Sequence, residues 1–540
     1  MIFCVPFSGS SLGLVPQLPK GPRACREKIG DLLERSNREW GHPSASELAA
    51  RFRNPETRVV VTGQQCGLFG GPLLVLTKLL AAVRWAETLT RSGQPAVALF
   101  WMAAEDHDFA EVACARFVVG LKTEELSLGS DPQPLVPVGS REMGSEVEEL
   151  LRRLQAWYPS ERFQRWIEQL RQWWRPGNQF PDAFARQWIA LLGSKAPLFF
   201  DPLSPEFKRW AAPVVVAWAE APEATEQALW CRTRALEERG FAPQVHLETG
   251  AQPFFWLDEE GRRRRVLRTP QGNWALRGVG EVGSWASLVK RMIEEPERIS
   301  PAALGRPAYG DAVLGTALHV LGPAELSYFA QAAALYPIAG VFPPAVVLRP
   351  ELLLFDRRSR EGLAGLGGSL ADVLKDPEQW RHTVASRVGG LFLEPGRRQI
   401  QEVMAGWAAP TVALDPSLLR PYERTRETIE RALEQFERRV EAAVLRRDRI
   451  RQERLERLLA NLWPEGQPQE RGLAAAYFLG RFGDSWVKKL LEGLGLDPRW
   501  VTVVDPGEEV EEAVVLSEPG TEAGEAAVSV TKRGEVSHEA

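Results

Sequence analysis

The stretch RVVVTGQQCGLFGGPLLVLTKLLAAVRWAETLTRSGQPAVALFWM, residues 58–102, decides the fold class. Val59, Val60 and Val61 form a β-branched run of the length of a buried strand. It runs into a glycine-rich turn from Thr62 to Gly71. Pro72 suits the first turn of a helix, and residues 73–91 continue in helical texture, interrupted by Lys78. Residues 96–102 are apolar without alternation, the pattern of a strand buried on both faces, as in a parallel sheet. Strand, glycine turn, helix and strand make a βαβ unit and predict an open α/β core.

Working outward, Val147, Leu150, Leu151, Leu154 and Trp157, then Phe163, Trp166, Ile167, Leu170 and Trp173, fall at helical spacing, which predicts a helical insertion over 145–195. A short strand ending in Asp201 follows at 197–201. A hairpin is expected over 254–268, and 269–310 lacks a clear pattern. Residues 312–336 repeat the strand–turn–helix plan, and 345–348 reads as another buried strand. Over 416–462 one long amphipathic helix is expected, with Ile429, Leu433, Phe436 and Val440 as an apolar stripe. Arg447 and Arg454 then break the heptad, so a subunit-pairing coiled coil and a helix packed on its own domain both remain open. The expected division is a core in three parts (1–120, 196–260 and 311–410), insertions at 121–195 and 261–310, a coiled-coil region at 411–500 and an acidic tail at 501–540.

Composition sets outer limits. The chain has 540 residues, 44% hydrophobic and 25% charged, which is globular and long enough for several domains. No uncharged apolar run reaches the length of a membrane span, and MIFCVPFSGSSLG lacks the basic start of a secretory signal. Cys4, Cys25, Cys66, Cys114 and Cys231 are scattered, without a CxxC pair. That argues for a reducing cytoplasm and against a disulfide framework or structural zinc. The net charge of −5 argues against a nucleic-acid coat. Residues 505–540 carry −8 of it, leaving +3 on the rest.

Ligands in open parallel sheets sit beyond the carboxyl ends of the strands, so the polar clusters at those ends are the site candidates. The first strand offers Thr62, Gly63, Gln64, Gln65, Gly67, Gly70 and Gly71, whose backbone N–H groups and following helix N-terminus suit an anion. Neither a Walker motif nor GxGxxG is present in this loop. The second offers Glu105, Asp106, His107 and Asp108, costly to bury without partners or a ligand. In an extended chain Glu105 and His107 would face one way, Asp106 and Asp108 the other, with His107 a natural proton acceptor. No ligand spacing supports a metal. Asp201, His246, His319, Gly322 and Glu325 complete the set. Cys66 reads as a buried small apolar residue rather than a nucleophile.

VVVTGQQCGLFGGP at 59–72 together with FWMAAEDHDFAEV at 100–112 resembles the BshC family, the cysteine ligases of bacillithiol biosynthesis. FFDPLSPEFKRW (199–210), GFAPQVH (240–246), ISPAALGRP (299–307), LGPAELSYFAQ (321–331) and LWPEGQPQER (462–471) extend the resemblance over about residues 1–500. Cys66, Ala302, His319 and Leu321 depart from the residues common in that family. The resemblance implies a Rossmann-like core related to nucleotidylyl transferases, helical insertions and a C-terminal coiled coil pairing two subunits. It implies joining of L-cysteine to glucosaminyl malate as an amide. Forming an amide from a carboxylate requires activation of the acid, for which ATP, with or without Mg, is the expected co-substrate, and the lack of paired thiolate or imidazole ligands argues against zinc. Glu105, Asp106, His107 and Asp108 are the catalytic candidates it carries, and Tyr328 and Gln331 join the binding candidates. A nucleotide-binding scaffold, or a nucleotidylyl transferase acting on another small substrate, is the alternative.

Overall fold

β1 (Arg58–Gln64) and β2 (Ala96–Met102) lie side by side in parallel, Val61 opposite Leu99, and all seven side chains of β2 are buried. The computed structural model describes residues 26–389, 394–507 and 511–515. After β2 come a hairpin, β3 (Cys114–Val119) with β4 (Lys122–Ser127), and then β5 (Leu198–Phe200). β6 (Ala251–Leu257), β7 (Arg263–Arg268), β8 (Asn273–Leu276), β9 (Gly280–Ser284) and β10 (Ile299–Pro301) form an antiparallel sheet in the order β10-β6-β7-β8-β9. β11 (Thr316–Leu321) and β12 (Ala345–Leu348) return to the first sheet, whose order is β12-β11-β1-β2-β5, parallel throughout. The chain starts at its centre, moves outward through β2 and β5, then crosses to the other side. The direction reverses between β1 and β11, where their carboxyl ends diverge and leave a crevice.

Two apolar layers cover this sheet. On one face the helices Leu74–Arg91 and Phe180–Leu192 pack, with Phe184 against Phe100 and Phe199 at centroid distances of 5.6 and 6.3 Å. On the other, Val59, Val61, Leu99 and Trp101 meet the helices Arg26–Glu39, Pro205–Glu220 and Arg306–Leu314. Each fully buried large side chain contributes roughly 1.5–3 kcal/mol. This is the Rossmann-like core expected from residues 58–102.

Beyond it, β13 (Glu351–Leu354), β14 (Trp500–Val504) and β15 (Glu511–Val515) make a small mixed sheet, and the helices Glu394–Leu414 and Leu419–Arg447 run antiparallel. Arg397 on the first reaches Glu437 (3.0 Å) and Glu430 (3.4 Å) on the second, and Tyr422 donates to the Met404 carbonyl at 2.8 Å.

Several expectations are corrected. The helix expected over 416–462 is two, Leu419–Arg447 and Arg449–Leu462, because the Asp448 carboxylate accepts from the Arg451 N–H and caps the second. The break placed at 410/411 falls inside the helix Glu394–Leu414, which carries Pro410 and continues through it. The break at 260/261 falls in the turn of the β6–β7 hairpin, and the unpatterned 269–310 completes that hairpin's sheet. The strand expected from 312 begins at Thr316, because the helix Arg306–Leu314 precedes it and ends at Gly315 with φ +61°. The helix Phe180–Leu192 is a layer of the core, not an insertion. Cys4, Cys25 and the tail beyond 515 lie outside the described residues.

Candidate active site

At the crevice between β1 and β11 lies a cavity of about 290 Å³. Thr62, Gly63, Gln64 and Gln65 from the β1 end line it, with His319 from β11, Gly322 just beyond that strand, and Glu325 and Tyr328 from the helix Pro323–Ala332. These eight expected residues are brought together. Thr62 ties the two strands by donating to the Val320 carbonyl at 2.9 Å. Gly63 leaves no room for a side chain, since a Cβ there would sit 2.7 Å from the Trp101 carbonyl oxygen.

Lys78 closes the floor. Its ammonium donates to Gly63 O (2.9 Å), Gln64 Oε1 (2.6 Å) and Glu325 Oε1 (2.8 Å), and burial lowers its pKa against the pull of Glu325. The other Glu325 oxygen accepts from the Gly322 N–H at 2.6 Å, capping the Pro323–Ala332 helix. One lysine thereby fixes β1, β11 and two helices around the crevice. His319 Nε2 donates to Asp311 Oδ1 at 2.8 Å, and Tyr336 holds the other oxygen at 2.6 Å.

The acid turn forms the layer behind this wall. β2 ends at Met102, so Glu105 and Asp106 do not alternate as they would in a strand. Both turn to Arg306, at 3.1 and 3.2 Å, and only Arg306 reaches the cavity. Glu105 is fully buried and burial raises its pKa, although Arg306 opposes this. Burial also pushes the Asp106 carboxyl up, but Arg306 and Arg263 outweigh it and hold Asp106 well below its usual range. Arg263, on β7, donates to Asp106 (3.2 Å) and to His107 Nδ1 (2.8 Å). A guanidinium only donates, so His107 is neutral with its proton on Nε2; burial and Arg263 lower its pKa. Asp108 is exposed and accepts from the Glu111 N–H at 3.4 Å. None of Glu105, Asp106, His107 and Asp108 lines the cavity.

The glycine loop also turns away. Gly67, Gly70 and Gly71 use their N–H groups on Gln65, Gly67 and Leu68 carbonyls within the loop. The Phe69 and Gly70 carbonyls accept from Gln187 (2.9 Å) and Trp188 (3.2 Å) on the Phe180–Leu192 helix. The N-terminus of the Leu74–Arg91 helix is covered as well, since the Leu73 N–H donates to Leu473 O at 2.9 Å. In this structure Gly67, Gly70 and Gly71 therefore serve the packing of the loop and do not line the cavity. Asp201 sits away from the cavity, burial raising its pKa to about 6. His246 is exposed, and buried Gln331 ties Thr233 to the Val245 backbone.

Sequence reasoning missed Lys78, Glu111, Arg306, Asp311, Arg349 and Arg471, which all line the cavity. The signal for Lys78 was a lone charge inside an apolar helix. For Arg349 it was a cation directly after a buried strand. For Arg471 it was the QPQER segment quoted for its resemblance. The arrangement can hold an oxyanion against cationic side chains and carries carboxylate and imidazole groups able to accept a proton. Among the described residues no cluster of three or more His, Cys, Asp or Glu is set to hold a metal, and no helix is long and apolar enough to cross a membrane.

Comparison with known proteins gives a consistent result. The profile described as "Bacillithiol biosynthesis BshC, N-terminal Rossmann-like domain" matches residues 16–350. The one described as "Bacillithiol biosynthesis BshC, C-terminal coiled-coil domain" matches residues 352–495. A Salinibacter ruber protein named "Putative cysteine ligase BshC" is 30% identical over 489 residues, 88% of either chain. Proteins of the same name from Solibacter usitatus (30% identical, covering 84% of this chain and 85% of that one) and Thermus thermophilus (29%, covering 88% and 95%) are similar over comparable lengths.

Proposed function

This chain belongs to the bacillithiol biosynthesis BshC family, and from that premise we propose that it is a ligase joining the carboxyl of L-cysteine to the amine of glucosaminyl malate, with ATP activating the carboxyl. The observation that carries the reading is the cavity at the strand-order reversal, lined by Lys78, Arg306, Arg349 and Arg471. A carboxylate and an ammonium do not condense unaided, because the oxide leaving group is too poor. Transfer of a phosphoryl or adenylyl group to the cysteine carboxylate supplies a stable leaving group. The amine then attacks the acyl carbon, the activated oxygen leaves with its phosphate, and the ammonium proton passes to a base. Arg306, held by two carboxylates, and Arg349, held by Glu470, are already oriented to stabilise the charge that develops on phosphate or acyl oxygen. His319, held by Asp311, and Glu111, whose pKa burial raises, are the cavity groups suited to take the proton.

A homodimer is part of the same proposal. The coiled-coil helices expose Val403, Trp407 and Phe436, each more than half accessible, while Ile429, Leu433 and Val440 are partly covered. The deciding experiment incubates the protein with ATP, cysteine and glucosaminyl malate. The expected result is the mass of bacillithiol together with AMP or ADP. Nucleotide turnover without the thiol product would sink the acceptor assignment, and thiol product without nucleotide turnover would sink the role of ATP.

A further inference from the structure

The segment Gln469–Gly472 is a helical turn of the C-terminal domain, yet it contributes Arg471 to the lining of the cavity. Its three polar residues do different things. Gln469 clamps β13, accepting from the Leu354 N–H at 2.7 Å and donating to the Leu354 carbonyl at 2.9 Å. Glu470, buried, accepts from both Arg349 terminal nitrogens at 2.9 and 2.5 Å. Arg471 follows with its backbone N–H fixed on the Pro468 carbonyl at 2.9 Å. Arg471 lines the cavity, and its side chain has no ion pair or hydrogen bond among the described residues. Gly472 permits the close turn, because a Cβ there would strike Pro464 Cγ at 2.4 Å.

A second observation points the same way. Arg349 is only 3% exposed and lines the cavity, and its Nε has no partner among the described residues. Glu470 neutralises Arg349 and Glu325 neutralises Lys78, whereas Arg471 feels the Glu351 carboxylate electrostatically but is bonded to no acid among the described residues. Both Arg471 and Arg349 bear on Lys78 electrostatically, so the three cations share one region. A site built this way favours an anion, and its two-nitrogen edges suit planar carboxylate or phosphate oxygens.

We propose that Arg471, backed by Arg349, is the anion-recognising element that the C-terminal domain contributes to the cavity, taking either a carboxylate of the acceptor's malyl group or a phosphate of the nucleotide. This rests on the ligase reading for the identity of those two anions, not for the existence of the subsite. The cavity is thus incomplete without the C-terminal domain.

The test uses the full chain with Arg471→Ala and Arg471→Lys. Arg471 is exposed, so both variants should melt as the wild type does; if the alanine variant does not, Arg471→Gln replaces it. Arg471→Ala should raise KM for one anionic co-substrate by about 10-fold or more, with kcat within about threefold and the lysine variant intermediate. A rise for glucosaminyl malate assigns the carboxylate, and a rise for ATP assigns the phosphate. Unchanged KM values for both, or a rise confined to cysteine, overturn the proposal. If the wild type makes no bacillithiol, the ligase reading fails and the subsite is judged by thermal shift with ATP and with malate. A stabilisation of the wild type that disappears in Arg471→Ala supports the subsite. Equal shifts in both proteins, or none in either, overturn it.

Discussion

Two loops leave neighbouring strands of the same sheet and meet opposite fates. The glycine loop after β1 is rich in backbone polar groups; its Gly67, Gly70 and Gly71 N–H donors are satisfied inside the loop, and its Phe69 and Gly70 carbonyls accept from the Phe180–Leu192 helix. The acid turn after β2 is rich in charge, and that charge is neutralised by Arg306 and Arg263 behind the cavity wall. In neither loop does the densest part of the motif touch the cavity. What faces it is the start of the glycine-rich turn, Thr62 to Gln65, and the counter-ion of the acid turn, Arg306. A conspicuous strand-end motif marks the site's neighbourhood, while the ligand-facing groups are the partners it holds in place.

The contrast predicts unequal responses. Among the described residues, Arg306→Ala removes the only ion-pair partner of fully buried Glu105 and one of two arginine partners of Asp106. Leaving buried carboxylates uncompensated should cost about 3–5 kcal/mol and lower ligase turnover by at least about 100-fold. Arg306→Lys should recover part of the stability and less of the rate, since an ammonium cannot hold both acids in the same fork. Denaturant melts alongside turnover check this; a variant with wild-type stability would mean the acid turn is held by something else. On the glycine side, Gly70 has φ +91° and a Cβ there would sit 2.4 Å from Gln187 Nε2, which donates to Phe69 O. Gly70→Ala should cost about 2–3 kcal/mol while the remaining folded protein keeps its rate. If it melts normally but has lost activity, the loop is a ligand cradle and the contrast collapses.

The fold was legible where periodicity was unambiguous. β2 was read to the residue because seven consecutive apolar positions leave no alternative to a strand buried on both faces. The antiparallel sheet after β7 was not, because β8 and β9 carry Gly, Asn, Glu and Ser where a strand usually shows a clean alternation. The site was legible in part for a similar reason. Gln64, His319 and Glu325 follow directly from strand ends. Arg349 and Arg471 reach the cavity only through the buried Arg349–Glu470 pair, a contact across 121 positions that no local pattern encodes. The missing cue for His107 and Asp108 was the end of β2 at Met102, which lets the chain turn before reaching them.

Asp201 offers a smaller, pH-dependent contrast with the paired acids of the turn. Burial holds its pKa at about 6, against 3.8 for the free side chain; among the described residues no cation is bonded to it, and the Leu203 N–H donates to it at 2.9 Å. Its folded pKa lies above its unfolded one, so the protonated acid contributes stability below about pH 4 that is lost as pH rises through 6. Asp106 is the opposite case, with a depressed folded pKa whose contribution is lost only as pH falls into the acid range. Asp201→Asn keeps the acceptor without the charge. Relative to wild type it should therefore gain about 1–2 kcal/mol between pH 5 and pH 7.5, with turnover largely retained. A stability difference that is flat across that range would show that Asp201 is not strained by its ionisation.

Cys66 provides the finest test, because it lies within the glycine loop and is the loop's only thiol. Its side chain is fully buried, and burial raises the thiol pKa well above its ordinary value, with the nearby Asp201 and Asp182 adding to the rise. A thiol kept protonated and out of solvent is a poor nucleophile. Its sulfur fills space beside Leu68 and Phe69 in the core under the Leu74–Arg91 helix. Cys66→Ala should therefore cost about 1 kcal/mol, from the small void left behind, and change turnover less than about twofold. In the native protein a thiol reagent should modify Cys231, which is exposed, well before Cys66, whose modification should follow the rate of global unfolding. Rapid labelling of Cys66 at neutral pH, or a folded alanine variant without activity, would mean that the glycine loop opens to the cavity during turnover. It would then face the ligand directly, unlike the acid turn, which stays behind the cavity wall.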